Sequence, residues 1–138
     1  MRLRKSAKQQ LIKSVPLFSH ATGRELAALA AEADELTVPE GKELTRQGER
    51  GREFMVIVDG SARVSKNGRT INKLGAGDFI GEIALLSDVP RTATVTTTSE
   101  TTVLVLTDRA FKRVADKIPS VHKSLLAALS ERLQADAI

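Results

Sequence analysis

The stretch FIGEIALLSDVPRTATVTTTSETTVLVLT, residues 79–107, decides how this chain is read. Its second half, TATVTTT and TTVLVLT around Ser99-Glu100, is dense in β-branched residues. Such side chains lose χ1 freedom on a helix and fit a pleated surface. The pattern predicts two strands there, joined as a hairpin. The first half behaves differently. Asp78 or Gly81 starts a helix over GEIALL, and Ser87, Asp88 and Pro90 stop it almost at once. A helix that short is not stable alone, so packing or a bound group must hold it.

The chemistry of this pause suits a phosphate. A helix N-terminus offers unpaired backbone N–H groups and partial positive charge. Gly81 lets a ligand approach the main chain closely. Arg91 follows the turn, where a guanidinium holds phosphate oxygens bidentately. Glu82 is an acceptor that a ribose hydroxyl would satisfy. Plainer alternatives stay open for each: Arg91 as an exposed charge at a strand end, Glu82 as stabiliser of a helix N-terminus.

Upstream of this stretch, turn signals recur at PEG (39–41), QGERG (47–51), Asp59-Gly60, Asn67-Gly68 and GAGD (75–78). That regular beat predicts a sandwich or barrel of short strands. FMVIV (54–58) reads as a buried strand, turned by Asp59-Gly60 into SARVS; Asn67-Gly68 joins ARVSK to RTINKL as a hairpin. Before the strands, residues 3–13 read as a short amphipathic helix with Leu3, Leu11 and Ile12 as its apolar positions, broken by VPLF (15–18). SHATGRELAALAAEA follows as a second helix, with Thr22 as N-cap and Glu25 completing a capping box. After the strands, Asp108 caps RAFKRVADK, with Phe111, Val114 and Ala115 turned inward. Pro119 separates that helix from a last one, where Val121, Leu125, Leu129 and Leu133 form a stripe widened by Leu126. The fold class expected is α+β, mainly β: an eight-stranded antiparallel, jelly-roll-like β-roll flanked by N-terminal helices and two C-terminal helices. Residues 1–14 read as a basic helical lead-in and 15–138 as one domain.

Composition narrows the function. The chain has 138 residues, 41% of them hydrophobic, enough for one core. Four phenylalanines are its only aromatics, so the core is aliphatic and a stacking platform for single-stranded nucleic acid is not expected. With no cysteine there are no disulfides, thiolate metal sites or thiol nucleophile. That fits a reducing compartment, and with no apolar membrane-length run or signal peptide the expected location is cytoplasmic. The net charge of +4 concentrates in MRLRKSAKQQLIK, with Arg2, Arg4, Lys5, Lys8 and Lys13 and no acid. It reads as a solvated helical arm. A β-roll metalloenzyme of the cupin sort needs clustered His and carboxylate ligands. His20 and His122 are the only histidines, and they lie near opposite ends in helical segments as surface or cap residues. Neither a metal site nor an enzyme is expected.

FIGEIALLSDVPRTATV resembles the phosphate-binding cassette of cyclic nucleotide-binding domains, whose pattern runs Gly-Glu-x-Ala-Leu, a few residues, then Pro-Arg-x-Ala-x-Val. VPLF, the turn glycines at 41, 48, 60 and 77, and the two C-terminal helices extend the similarity from about residue 14 to 134. The resemblance implies that Arg91 pairs with the cyclic phosphate and Glu82 accepts the ribose 2′-hydroxyl. Backbone groups at Gly81, Ile83 and Ala84 would cradle sugar and phosphate, with Ala93 packed close to the phosphate. Val64 and Ile80 would line the base pocket. Thr92 stands where a threonine is often associated with cyclic GMP, although many bacterial members with Ser or Thr there bind cyclic AMP, which is the ligand favoured here. A lid over the base would come from the last helix, by position Leu126, then Leu129, with Arg132 as a cationic cap. The plainer alternative for Leu125, Leu126 and Leu129 is packing on the roll or in a homodimer seam.

The resemblance thus implies a cyclic-nucleotide sensor, cyclic AMP or cyclic GMP being its ligand rather than a cofactor. It would signal through the cassette helix and C-terminal helices to an effector domain or partner protein. The alternative is a fragment of a cyclic-nucleotide-responsive transcription regulator without its DNA-binding part, since no helix-turn-helix follows the last helix of this sequence. No nucleic-acid partner is expected.

Overall fold

The computed structural model describes residues 3–81, 85 and 90–136, the last five as backbone only. Its contacts divide the chain into two units: a roll, Asp34–Asp108, and a helical unit formed by Met1–Ala33 with Arg109–Ile138.

The roll holds eight strands: β1 (Asp34–Val38), β2 (Glu43–Thr45), β3 (Glu53–Asp59), β4 (Ala62–Lys66), β5 (Arg69–Leu74), β6 (Phe79–Ile80), β7 (Thr94–Thr97) and β8 (Thr101–Thr107). They form two four-stranded sheets, ordered β1-β8-β3-β6 and β2-β7-β4-β5. All pairings are antiparallel, as expected of the mainly-β class. The Asn67-Gly68 hairpin forms as read: both residues have positive φ (53° and 80°), the twist that suits a two-residue turn, and Lys66 pairs with Arg69 across it.

The expected hairpin around Ser99-Glu100 does not form. β7 pairs with β2 and β4, whereas β8 pairs with β1 and β3 in the other sheet. β-branched content marks a strand but does not choose its neighbour. What turns the chain here is a second corner at residues 59–61. Ser61 Oγ lies 2.7 Å from Thr98 Oγ1 and 3.0 Å from Ser99 Oγ, and Thr101 Oγ1 donates to the Ser61 carbonyl at 3.2 Å. Both segments change sheet at this meeting point. Other threonines also brace the roll. Fully buried Thr97 accepts from Lys42 N at 2.8 Å and donates to the Pro39 carbonyl at 2.7 Å.

Between the sheets lies an aliphatic core. One sheet supplies Met55, Ile57, Ile80 and Val103, and the other Ala62 and Val95, with Leu44, Val64, Leu74 and Val105 packed around them. Removing such side chains from water supplies about 1.5–3 kcal/mol each.

The helical unit comprises α1 (Lys5–Lys13), a 3₁₀ turn (Pro16–Phe18), α2 (Gly23–Glu32), α3 (Asp108–Lys117, whose first residue belongs to the roll) and α4 (Ser120–Asp136). The capping box is present as read: Thr22 Oγ1 accepts from Glu25 N at 3.2 Å, and Glu25 Oε1 from Thr22 N at 3.0 Å. The basic arm is not simply solvated. Ile12 is buried, and Lys8 Nζ donates to the Ala33 carbonyl at 3.0 Å, so α1 is tied to α2. On α4 the buried stripe runs Val121, Leu125, Ala128, and Leu126 points away at 64% exposure rather than widening it. The i, i+4, i+7 spacing rotates the apolar face onto Ala128 instead. The Leu133 side chain lies outside the described residues.

Candidate functional site

Arg91 is mounted on the loop between β2 and β3. Its N–H donates to the Glu49 carbonyl and its own carbonyl accepts from Gly48 N, both at 2.9 Å. Arg50 and Pro90 form an isolated antiparallel bridge beside them. At the far end of the side chain, Nη2 donates to the Glu53 main-chain carbonyl at 2.5 Å. The chain carrying the arginine is therefore stitched to residues 48–53 at both backbone and guanidinium.

Two glycines flank that guanidinium. A Cβ built on Gly51 or on Gly81 would overlap it. Gly81 also has φ +76°, a conformation that L side chains rarely adopt. The group packed closely against Gly81 here is the Arg91 guanidinium. Burial pushes the Arg91 pKa down from the ordinary arginine value, while the Glu53 charge acts the other way. An arginine stays charged under such influences, so the half-buried cation keeps its demand for an anion.

A recess of about 210 Å³ opens beside it, lined in part by Arg46, Glu49, Arg50, Gly51, Glu53 and Arg91. Arg46 is already engaged there, bonded to Glu43 at 2.8 Å and Glu49 at 3.3 Å.

Ile80 immediately precedes Gly81 and is buried in the aliphatic core, where Val64 also packs. The structure thus brings the two expected base-pocket residues into one cluster, and chain continuity links that cluster to the glycine under Arg91. Ala93 is half-buried, and its carbonyl accepts from Thr45 Oγ1 at 3.1 Å; Thr92 beside it is exposed. Glu82, Ile83 and Ala84 lie outside the described residues. On α4, Leu126 is exposed and Leu129 half-buried, and the Arg132 side chain is outside the described residues.

Sequence reasoning missed Gly51 and Glu53. QGERG was read only as a turn, yet Gly48 (φ +86°) meets the conformational demand of that loop. A second glycine without a left-handed backbone was a signal for close packing. The histidines serve locally: His20 Nε2 lies 2.7 Å from Glu131 Oε1, and the His122 ring stands edge-on to Phe111 with centroids 5.9 Å apart. Among the described residues no group of His, Asp or Glu could hold a metal ion, and no helix is long and apolar enough to cross a membrane.

Comparison with known proteins relates the chain to one family. A family model described as the cyclic nucleotide-binding domain matches residues 35–117. A cAMP-dependent protein kinase regulatory subunit of Mycosarcoma maydis is 32% identical over 86% of this chain and 24% of that protein. A cyclic nucleotide-gated potassium channel of Rhizobium etli is 32% identical over 89% of this chain and 34% of the channel. The chain thus spans about a quarter to a third of these relatives. The solved N-terminal domain of a transcriptional regulator from Streptomyces coelicolor A3(2) superposes with a TM-score of 0.82 at 29% identity, covering 92% of each chain. Since the matching family model covers more than half of its length, the chain belongs to the cyclic nucleotide-binding domain family.

Proposed function

We propose that this chain is a regulatory sensor that binds a cyclic nucleotide, cyclic AMP in preference to cyclic GMP, and does no catalysis. The observation that carries this is the half-buried Arg91 guanidinium, flanked by Gly51 and Gly81 next to the core holding Ile80 and Val64. A cyclic phosphodiester carries one charge and asks for one well-oriented cation with N–H donors; its base asks for an apolar slot. Arg91 pairs with the phosphate. Main-chain groups at Gly81, Ile83 and Ala84 and the close-packed Ala93 complete the cradle, and Glu82 accepts the ribose 2′-hydroxyl. Val64 and Ile80 line the slot. Thr92 presents its hydroxyl to the ligand. Leu126 is the proposed lid, with Leu129 and Arg132 in support. The preference for cyclic AMP follows the kinase regulatory relative, which is cAMP-dependent by name.

Occupancy is transmitted by movement of the cassette helix and of α3 and α4, shifting a two-state balance. The receiver is an effector domain or partner protein in the cytoplasm, with the basic lead-in of residues 1–14 as its connection and α4 as a surface for homodimerisation. Calorimetry with cyclic AMP and cyclic GMP tests this. Wild type should bind, and Arg91→Ala should lose about a hundredfold in affinity, the equivalent of about 3 kcal/mol for a charged hydrogen-bonded contact. No binding by wild type would falsify the proposal.

The likeness to the Streptomyces regulator domain favours a second reading, the sensor half of a cyclic-nucleotide-responsive transcription regulator. A helix-turn-helix encoded after residue 138 in the parent gene would select it. A DNA titration of this chain checks the basic arm separately, because phosphate contacts give a steep loss of affinity with salt.

A further inference from the structure

We infer that Gly51 is a positioning residue for Arg91: the absence of a side chain at this point sets where the guanidinium rests. The inference builds on the phosphate role proposed for Arg91 but is tested independently of it. Three observations support it. The conformation of Gly51 does not require glycine. Gly48 and Gly81 have φ of +86° and +76°, whereas Gly51 lies outside the left-handed region. Space sets the limit instead: a Cβ there would overlap Nε, Cζ and Nη2 of Arg91, side-chain atoms rather than backbone, so the guanidinium is the group that must shift. The guanidinium is held in its present place by directed contacts, and the recess beside it is where it goes when displaced. Nη2 is bonded to the Glu53 carbonyl, Nη1 faces Gly81, and the Arg91 main chain is fixed by Gly48 and Glu49.

The loop 48–53 therefore works as the seat of the phosphate arginine, apart from the cassette. An added methyl at 51 forces Arg91 to release the Glu53 carbonyl and swing off Gly81. The cost falls on the position of one cation, since alanine is compatible with the loop backbone itself.

The experiment is a double-mutant cycle with Gly51→Ala and Arg91→Ala, read by three measurements. These are the Arg91 Nε–Hε resonance in ¹⁵N NMR, the urea unfolding midpoint, and the cyclic AMP dissociation constant by calorimetry. Gly51→Ala alone should shift the Arg91 resonance, lower the midpoint and weaken cyclic AMP at least tenfold. In the Arg91→Ala background the same substitution should leave the midpoint unchanged or higher, because losing a glycine restricts the unfolded chain. If Gly51→Ala alone does not fold, restored folding in the double variant supports the seat, and continued failure to fold overturns it. An unmoved Arg91 resonance with affinity within twofold of wild type overturns it too, leaving the phosphate role of Arg91 standing. If wild type binds no cyclic nucleotide, the proposed function fails, and the resonance and the two midpoints still decide the seat.

Discussion

Ser124 Oγ donates to the Glu25 carboxylate at 2.7 Å, so a fully buried charge on α2 is tied to the first turns of α4. Ser120 Oγ donates to the other carboxylate oxygen at 2.7 Å, and Thr22 N to the first at 3.0 Å. Burial pushes the Glu25 carboxyl up, but the hydrogen bonds from Thr22, Ser120 and Ser124 more than offset it, and the net position is below the ordinary glutamate value. The glutamate that closes the capping box is also the joint between two helices.

Glu25→Ala should lower stability by about 2–3 kcal/mol in urea titrations at neutral pH, since it removes a cap and leaves polar partners unmatched. Glu25→Gln should cost less. The pH dependence has a definite sign. Because the folded pKa is depressed, this stabilisation is complete above the unfolded glutamate value, about 4.3, and is lost as pH falls through the folded value. The gap between wild type and Glu25→Gln should therefore close in acid. Curves that stay parallel down to the acid transition would remove the charge from the explanation.

Gly60→Ala should destabilise the roll by roughly 1–3 kcal/mol. Gly60 has φ +106°, and an added Cβ would press on Thr101 Oγ1 and Cα and on the Glu100 carbonyl, at 2.5–2.7 Å. This is the corner where two segments change sheet together. The urea midpoint reports the loss, and Gly41→Ala, with φ +84° but open space around it, separates backbone strain from the close approach.

What the sequence disclosed followed from local physics. Thr22 and Glu25 spell their capping box, and Asn67-Gly68 its hairpin, because each is decided within a few residues. The partners of β7 and β8 were not legible, since Thr and Val announce a strand without naming its sheet. The Ser61 corner that separates the two strands lies about forty residues earlier in the chain. The site divides in the same way. Arg91 and Gly81 are prominent in the cassette, whereas Gly51 matters only through a packing contact made across the fold. Leu126 looked apolar enough for the α4 stripe, but helical rotation gave that place to Ala128.

Arg91→Lys should weaken cyclic AMP by about tenfold while leaving the net charge unchanged. An ammonium is a point charge and cannot present two parallel N–H groups to one phosphate, whereas the planar guanidinium can. Calorimetry at two ionic strengths checks the cause. The deficit relative to wild type should persist at high salt, because it arises from directed hydrogen bonds rather than from screened attraction. Full retention of affinity would mean that the phosphate requires only charge.

Thr92→Ala should separate the two nucleotides. Thr92 is exposed immediately after Arg91, so its hydroxyl is open to a ligand. The hydroxyl is proposed to reach the phosphate and, in cyclic GMP, the guanine amino group as well. Cyclic AMP has no amino group at that position of its base. A neutral hydrogen bond of about 1 kcal/mol corresponds to roughly a fivefold change in affinity. Cyclic GMP, losing both contacts, should weaken more than cyclic AMP when both are titrated calorimetrically against the same two proteins. Equal losses would confine Thr92 to the phosphate and leave base selection to the lid proposed on α4. Leu126→Ala would then be the variant that changes the ratio of the two affinities.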